Sequence, residues 1–486
     1  MAGRLESVRE VRLEKLEKLK KQGVNPYSPK YSKNRTEISK ARESEGKEVN
    51  VTGRITGWRG HGSIVFADLT DETGQIQLWF QKDKLGEKFD DLDLFDLGDF
   101  IGASGQVVKT KAGEITVEVL DFEILTKAIR PLPSAWHGLK DVEERYRQRY
   151  VDMLLNPKVK ETFLFRTKFV KLLREYLDNN GFVEVETPIL QPIYGGASAR
   201  PFTTHHNALD FDLFLRISDE LYLKRLIVGG FEKVYEMGHD FRNEGLEKGR
   251  NPEFTQLEFY WAYADYEDLM KFTEEMLSSI IEKLKGSLVV EVGDKTLEFA
   301  TPWKRVTYRQ LWQEHLAIDI NEVKTEKELL DLVKAKDLKV DLKGVAGFGA
   351  TLDTIYKRLI RPNIVGPIFL TDRPVEMVPL AKRKEDDPTK VATFQLVALG
   401  EEFLNAYNEL NDPQDQRARW EDETKLGEKG NEEHQVLDED YIRALEYGMP
   451  PTAGWGLGID RFVMLLTNAA NLKEVIIFPT LRPESK

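Results

Sequence analysis

The sequence contains no cysteine. That excludes disulfides, cysteine-ligated zinc and thiol nucleophiles, and it fits a cytoplasmic protein. No apolar run is long enough to span a bilayer. The N-terminus lacks the apolar core of a secretory signal. Neither common kind of glycine-rich phosphate loop occurs. An excess of positive charge is missing too: 70 Lys and Arg stand against 83 Asp and Glu, a net charge of −13. Any nucleic-acid-binding surface must therefore be a local basic patch on an acidic protein. No repeat or low-complexity segment is present.

What is present is enough apolar residue for a sizeable core, 41% of 486 residues, with 31% charged. That length predicts two or three domains. Residues 1–47 read as a helical extension. Leu5, Val8 and Val11 recur at three-residue steps, as do Leu13, Leu16 and Leu19, with Arg9, Arg12, Lys15, Lys18 and Lys21 between them. The helix is either packed on the next domain or in contact with a nucleic-acid backbone. Gly23, Pro26 and Pro29 end it.

Residues 48–128 change to short alternating strands, separated by turns such as 71–74 and 111–113. Five strands in about eighty residues predict a small closed barrel, an OB-fold. Residues 129–155, with Pro131 and Pro133, read as a linker. Residues 156–486 form one large region with long helices at Pro157–Asn180 and Tyr266–Lys285. Its predicted strands are Lys233–Met237, Phe254–Ala262, Phe394–Val397 and Val475–Phe478, with a helical insertion at about 315–360. Strands and helices do not alternate strictly, which predicts an α+β fold with an antiparallel sheet flanked by helices.

Three stretches carry chemistry. The first is Gly181-Phe182-Val183-Glu184-Val185-Glu186-Thr187-Pro188, after a long helix. The second is Phe241-Arg242-Asn243-Glu244, a charged loop, then Asn251-Pro252-Glu253-Phe254. The third is Gly454-Trp455-Gly456-Leu457-Gly458-Ile459-Asp460-Arg461 before an apolar helix. In this order they resemble the three motifs of class II aminoacyl-tRNA synthetases. The resemblance extends over essentially the whole chain. A barrel N-terminal to the catalytic region resembles the branch charging aspartate, asparagine and lysine (subclass IIb). The stretches 137–150, 195–202 and 405–412 are similar to its lysine-charging members.

This resemblance implies ATP and lysine as substrates, Mg²⁺ as cofactor, tRNA-Lys as partner and a homodimer built on the first motif. Adenylate formation drives a carboxylate against the α-phosphate, and a planar guanidinium can hydrogen-bond both anions at once. The resemblance gives that role to Arg242. It assigns ATP to Arg242, Glu244, Arg250, Asn251, Phe254, Glu402, Gly458 and Arg461, with adenine between Phe254 and Arg461. Arg250 stands where the family often has histidine.

A cationic side chain needs buried carboxylates, because an unpaired buried ammonium costs several kcal/mol. The resemblance gives the ε-ammonium to Glu409 and Tyr260. It frames the rest of the lysine with Gly196, Glu220, Arg242, Glu258, Asn405 and Tyr407. A neutral amino acid would leave Glu409 buried and unpaired, which can reject analogues by ~10⁴ or more. The metal ligands fall on Glu402 and on Gln395, where the family has a glutamate; the amide still offers an oxygen but no charge. Glu401 is the adjacent carboxylate.

In the barrel, Phe66 aligns with an aromatic that stacks on an anticodon base, and Arg59 and Gln77 with polar contacts to it. Rival readings are an aspartate or asparagine enzyme, a paralogue that binds tRNA or modifies protein without charging tRNA, and a plain OB-type binding module. Glu409 and the 195–202 stretch oppose the first. The presence of the barrel opposes the second, and the second and third motifs oppose the third.

Overall fold

The computed structural model describes residues 2–133, 139, 141–245, 249–345, 347–428 and 436–484, with only the backbone described at 2–4 and 423–428. The chain divides into two compact units, 1–140 and 141–486. Among the described residues no helix is long and apolar enough to cross a membrane.

The first unit opens with helix α1 (Ala2–Lys21). Leu16 and Leu19 are buried on the barrel side, and Arg12 is buried with them, donating to the carbonyls of Ala128, Arg130 and Leu97. These contacts make the helix a packed element of this unit, with Lys15 paired to Asp96 at 2.9 Å. The barrel strands are β1 (Glu48–His61), β2 (Ile64–Thr70), β3 (Gln75–Gln81), β4 (Phe100–Lys109) and β5 (Ile115–Thr126). They close in the order β1-β2-β3-β5-β4. Burial alternates along β2 and β3, so Val65, Ala67, Leu69, Ile76, Leu78 and Phe80 fill the interior. Closure leaves the barrel without a free edge.

The second unit is built on an eight-stranded sheet. Its strands in chain order are β6 (Val183–Glu184), β7 (Lys233–Phe241), β8 (Glu253–Ala262), β9 (Lys304–Thr307), β10 (Ile368–Thr371), β11 (Thr393–Ala398), β12 (Glu401–Asn408) and β13 (Thr452–Gly458). They lie in the order β9-β10-β11-β12-β13-β8-β7-β6. Only the outer pairs are parallel, β9 with β10 and β6 with β7. The chain between β9 and β10 is largely helical, including Glu326–Ala335 and Phe348–Ile355; position 346 lies outside the described residues. A parallel neighbour requires such a crossover, which accounts for a helical segment there.

One face of the sheet is covered by α2 (Pro157–Asn179) and α4 (Tyr266–Lys285); between them in sequence lies α3 (Glu220–Val228). Helix α2 starts on Pro157, whose missing N–H costs nothing in a first turn. It buries Phe169, Leu173 and Leu177, spaced four apart on one side. Asp265 caps α4 by accepting from the backbone N–H groups of Glu267 and Asp268, and Gly286 ends it at φ +71°. Against these helices pack Leu257 and Phe259 of β8, Leu404 and Ala406 of β12, and Trp455 and Leu457 of β13. Each large apolar side chain buried there contributes roughly 1.5–3 kcal/mol. Helices α5 (Glu439–Glu446) and α6 (Ile459–Leu466) complete the elements used below.

One predicted strand is not a strand. After a short 3₁₀ turn at Leu472–Glu474 the chain at Val475–Phe478 runs through turn and bend. Val475 is buried but Phe478 is 67% exposed. Buried Arg149 donates to the carbonyls of Lys473 and Ile477, taking the place of a neighbouring strand there. A four-residue apolar run carries too little periodicity to separate these outcomes.

Candidate active site

Side chains alternate across a strand, so the residues between the core positions of β8, β12 and β13 face the other way. On β8 these are Phe254, Gln256, Glu258 and Tyr260; on β12 they are Asn405 and Tyr407, with Glu409 just beyond. Between them runs β13, whose outward positions are Gly454, Gly456 and Gly458. Tyr260 and Tyr407 both pair with Gly454, and Glu258 and Asn405 both pair with Gly456. The glycine strand thus forms a floor without side chains between two walls that carry them. At Gly454 the requirement is strict: a Cβ would lie 2.0 Å from Glu409 Oε1 and 2.6 Å from the Tyr260 ring.

The result is a cavity of about 420 Å³. Its lining includes each residue expected to bind ATP, namely Arg242, Glu244, Arg250, Asn251, Phe254, Glu402, Gly458 and Arg461. It also includes each residue expected to bind lysine: Gly196, Glu220, Glu258, Tyr260, Asn405, Tyr407 and Glu409. Gln395 does not line it. It is buried on β11 and pairs in register with Asn405, not with Glu402. Glu401 turns toward Arg361, at 3.8 Å.

At one end, Arg242 Nε donates to the Ile217 carbonyl at 3.3 Å, and its Cζ lies 5.0 Å from the centre of the Phe254 ring. Arg461, in the first turn of α6, donates to the Glu402 carbonyl at 2.6 Å. Burial draws its pKa down, while Glu402 and Glu401 oppose that. Glu244 and Arg250 form an ion pair with each other at 2.8 Å across the loop, whose residues 246–248 lie outside the described residues. The Asn251 Oδ1 is buried without a hydrogen-bond partner.

The other end is acidic. Glu258 accepts from Ser218 Oγ at 3.1 Å, from the Tyr260 hydroxyl at 2.9 Å and from Gln256. Glu220 accepts from the Tyr407 hydroxyl at 2.8 Å and from Lys224. Glu409 is paired with Lys224. The carboxyl of Glu409 is pushed well above the usual range by burial and by Glu220 and Glu258, against the pull of Lys224. Asn405 Oδ1 is a buried acceptor without a partner. Such a group of acceptors is costly unless a cation satisfies it.

Behind Glu258, Asp219 and Asp240 bring carboxylate oxygens within 4.8 Å of one another and of Glu258. Burial first, then Glu258, raises both. Arg216, also buried, reaches Asp240 at 3.3 Å and pairs with Glu236, which accepts from the Thr187 N–H at 3.0 Å. This network ties the first motif to β7.

Several lining residues escaped the sequence reading: Ser218, Gln256, Lys357 and Asp460. Asp460 accepts from Arg166 at 2.7 Å and from the Thr255 N–H at 2.9 Å, holding α6 against β8. Its place next to Arg461 was a usable signal; the others have no local pattern. Of the stretch 137–150, residues 137, 138 and 140 lie outside the described residues. The rest includes a short helix, Val142–Arg147, capped by Asp141.

On the barrel, Arg59, Phe66 and Trp79 form one cross-strand row over β1, β2 and β3, and Asp68 and Gln77 form the next. Phe66 and Trp79 stack with centroids 6.0 Å apart at 17°. Arg59 is exposed and forks onto Asp68 at 2.9 and 2.8 Å, while Gln77 accepts from Thr116 at 3.0 Å. Phe80 is in the core, with Trp58 packed against it. The row of cation and stacked aromatics is a surface on which unpaired bases can stack.

Comparison with known proteins agrees with this geometry. Residues 141–482 match the family of class II tRNA synthetases (D, K and N), and residues 49–125 match the OB-fold nucleic acid binding domain. A protein of Carboxydothermus hydrogenoformans named lysine–tRNA ligase is 48% identical over 97% of this chain and 97% of its own. Proteins of the same name from Thermoanaerobacter pseudethanolicus, 47% identical, and Clostridium perfringens, 48% identical, each cover 98% of this chain and 96% of their own. The chain therefore belongs to the class II tRNA synthetases of the aspartate, lysine and asparagine group, with an OB-fold nucleic-acid-binding domain ahead of the catalytic one.

Proposed function

We infer that this chain activates L-lysine with ATP to lysyl-adenylate and transfers it to the 3′-terminal adenosine of tRNA-Lys. The observation that carries the reading is the acidic lining of the cavity, where Glu220, Glu258 and Glu409 share one cavity with Arg242. A dication with a carboxylate at one end complements that arrangement. An aspartate or asparagine enzyme would not place Glu409 there.

No general base is needed for activation, because the carboxylate of lysine is already the nucleophile. Arg242, oriented by Ile217 and Phe254, bridges that carboxylate and the α-phosphate. Adenine stacks between Phe254 and Arg461. Arg250 and Glu244 exchange their mutual pair for phosphate and adenine contacts when ATP binds. Rate comes from positioning and charge stabilisation. Glu402 is the acidic side chain on the cavity wall suited to Mg²⁺, and Gln395, buried on β11 outside that lining, brings no charge to it. When bound with ATP, Mg²⁺ neutralises phosphate charge.

The barrel row of Arg59, Phe66 and Gln77 supports reading of the U-rich anticodon by stacking and edge hydrogen bonds. Around the first motif Leu164, Val183, Ile189, Leu190 and Ile193 are all exposed, which supports a homodimer there. Sedimentation at the monomer mass of 56.0 kDa at working concentration would refute the dimer. A chemistry that consumes ATP and tRNA supports a cytoplasmic location.

The test is amino-acid-dependent ATP–pyrophosphate exchange with lysine, aspartate and asparagine, with and without Mg²⁺. Exchange with lysine alone is expected. No exchange with any of them from folded protein would favour the non-charging paralogue.

A further inference from the structure

Lys224 is fully buried and does not line the cavity. It lies one helical turn after Glu220 on α3, so the two side chains share a face. Its Nζ contacts carboxylate oxygens of both Glu220 and Glu409. It thus stands behind two of the three carboxylates that face the cavity. A lysine ammonium with no water around it is costly unless paired, and a pair that is itself buried seldom adds stability over apolar packing. A role in the pocket gives a reason for the charge to be there.

We propose, given the lysine-activating reading above, that Lys224 is a positioning residue for substrate recognition: its ammonium bridges Glu220 and Glu409 from behind and fixes both as acceptors for the amino groups of the substrate. With all three acids ionised, their charges are balanced only with it present. Glu220, Glu258 and Glu409 then supply three negative charges at the cavity. Substrate lysine brings two ammonium groups, and Lys224 is the third cation. The substrate carboxylate is met separately by Arg242.

The groups facing Glu409 and Lys224 are Glu220 from α3, Glu258 and Tyr260 from β8, Tyr407 from β12 and Tyr441 from α5. Burial, Glu220 and Glu258 all favour a proton on Glu409, and Lys224 is the cation that opposes it. For Lys224 itself burial opposes the charge, and Glu220 and Glu409 more than offset that. Without Lys224, burial, Glu220 and Glu258 act on Glu409 with that opposing cation removed, and its protonated form is favoured further. A carboxylic acid donates a hydrogen bond and no longer neutralises an ammonium.

The experiment is ATP–pyrophosphate exchange with Lys224→Met and Lys224→Arg against wild type, from pH 6.5 to 9. For Lys224→Met the lysine KM rises roughly 30-fold or more at neutral pH, which is about 2 kcal/mol of binding. The ATP KM stays near wild type. The variant's lysine KM falls more steeply with rising pH than wild type's, as Glu409 ionises. Lys224→Arg, which keeps the charge, restores much of the loss. A merely structural lysine would lower the melting temperature and the active fraction, and leave the lysine KM and its pH slope alone; that result overturns the proposal. If Lys224→Met does not fold, the charge-balanced pair Lys224→Met/Glu220→Gln is compared with Glu220→Gln alone. The double variant should show at least a ~10-fold higher lysine KM, and equality overturns the proposal. Absence of lysine exchange by the wild type would instead sink the functional reading itself.

Discussion

Glu409→Gln should convert a lysine pocket into a poor one without changing its shape. The side chain is 1% exposed and sits between Lys224 and the cavity. The amide keeps the volume and one acceptor but removes the charge. The substrate ε-ammonium would then enter a buried site without its anion. Removing one partner of a buried pair costs about 3–5 kcal/mol, and tenfold in binding is about 1.4 kcal/mol. The lysine KM in ATP–pyrophosphate exchange should therefore rise roughly 100- to 4000-fold. The ATP KM should change little, because Phe254 and Arg461 are untouched. Acid should mimic the substitution: protonating Glu409 weakens lysine binding, so the wild-type KM rises as pH falls and the variant's does not. A folded variant whose lysine KM stays within about fivefold of wild type would refute this electrostatic account of selectivity.

Three further outcomes follow from other parts of the molecule. Asp240 is pushed up to about 7, by burial first and then by Glu258, from 3.8. Between about pH 4 and 7 the folded protein thus holds a proton that the unfolded chain has released, so stability falls as pH rises across that window. The effect is at most about 4 kcal/mol and belongs to the Asp219–Asp240–Glu258 cluster as a whole. Melting temperatures at pH 5 and 8 should converge in Asp240→Asn, and an undiminished gap would count against it. Phe66→Ala should weaken tRNA in the charging reaction by roughly 5- to 150-fold, the worth of one stacked base, while lysine-dependent exchange stays normal. Loss of both activities together would place Phe66 in folding. Gln395→Glu should lower the Mg²⁺ concentration that half-saturates exchange; no change would mean that β11 does not reach the metal.

The fold was legible where periodicity is strong. Helix Tyr266–Lys285 has a cap at each end and a buried stripe, and the alternation in β2 and β3 fixes which residues fill the barrel. It was not legible at Val475–Phe478, where the decisive partner, Arg149, lies more than three hundred positions away in the chain. The glycines of the third motif were readable as places of close approach. Their function as a floor became visible only in register, where Tyr260 and Tyr407 flank Gly454 and Glu258 and Asn405 flank Gly456.

The acidic residues of the pocket could be named from the sequence, but the cations and donors that hold them could not. Arg216 meets Glu236 and Asp240 across strands, and Ser218 meets Glu258 forty positions on. Lys224 is different. Glu220 and Lys224 are four apart on a helix whose neighbours Leu221, Leu223 and Ile227 are apolar and buried. An acid–base pair amid such residues is either a surface pair on a short helix or a buried one with work to do. Sequence spacing predicts the contact in both cases. Only burial distinguishes them, because it decides whether water or another carboxylate faces the ammonium. Here the other carboxylate is Glu409, the residue on which selectivity rests. A pocket for a dication thus gains from a resident cation as well as acids: burial and the neighbouring carboxylates favour a proton on Glu409, and Lys224 is the charge that opposes it.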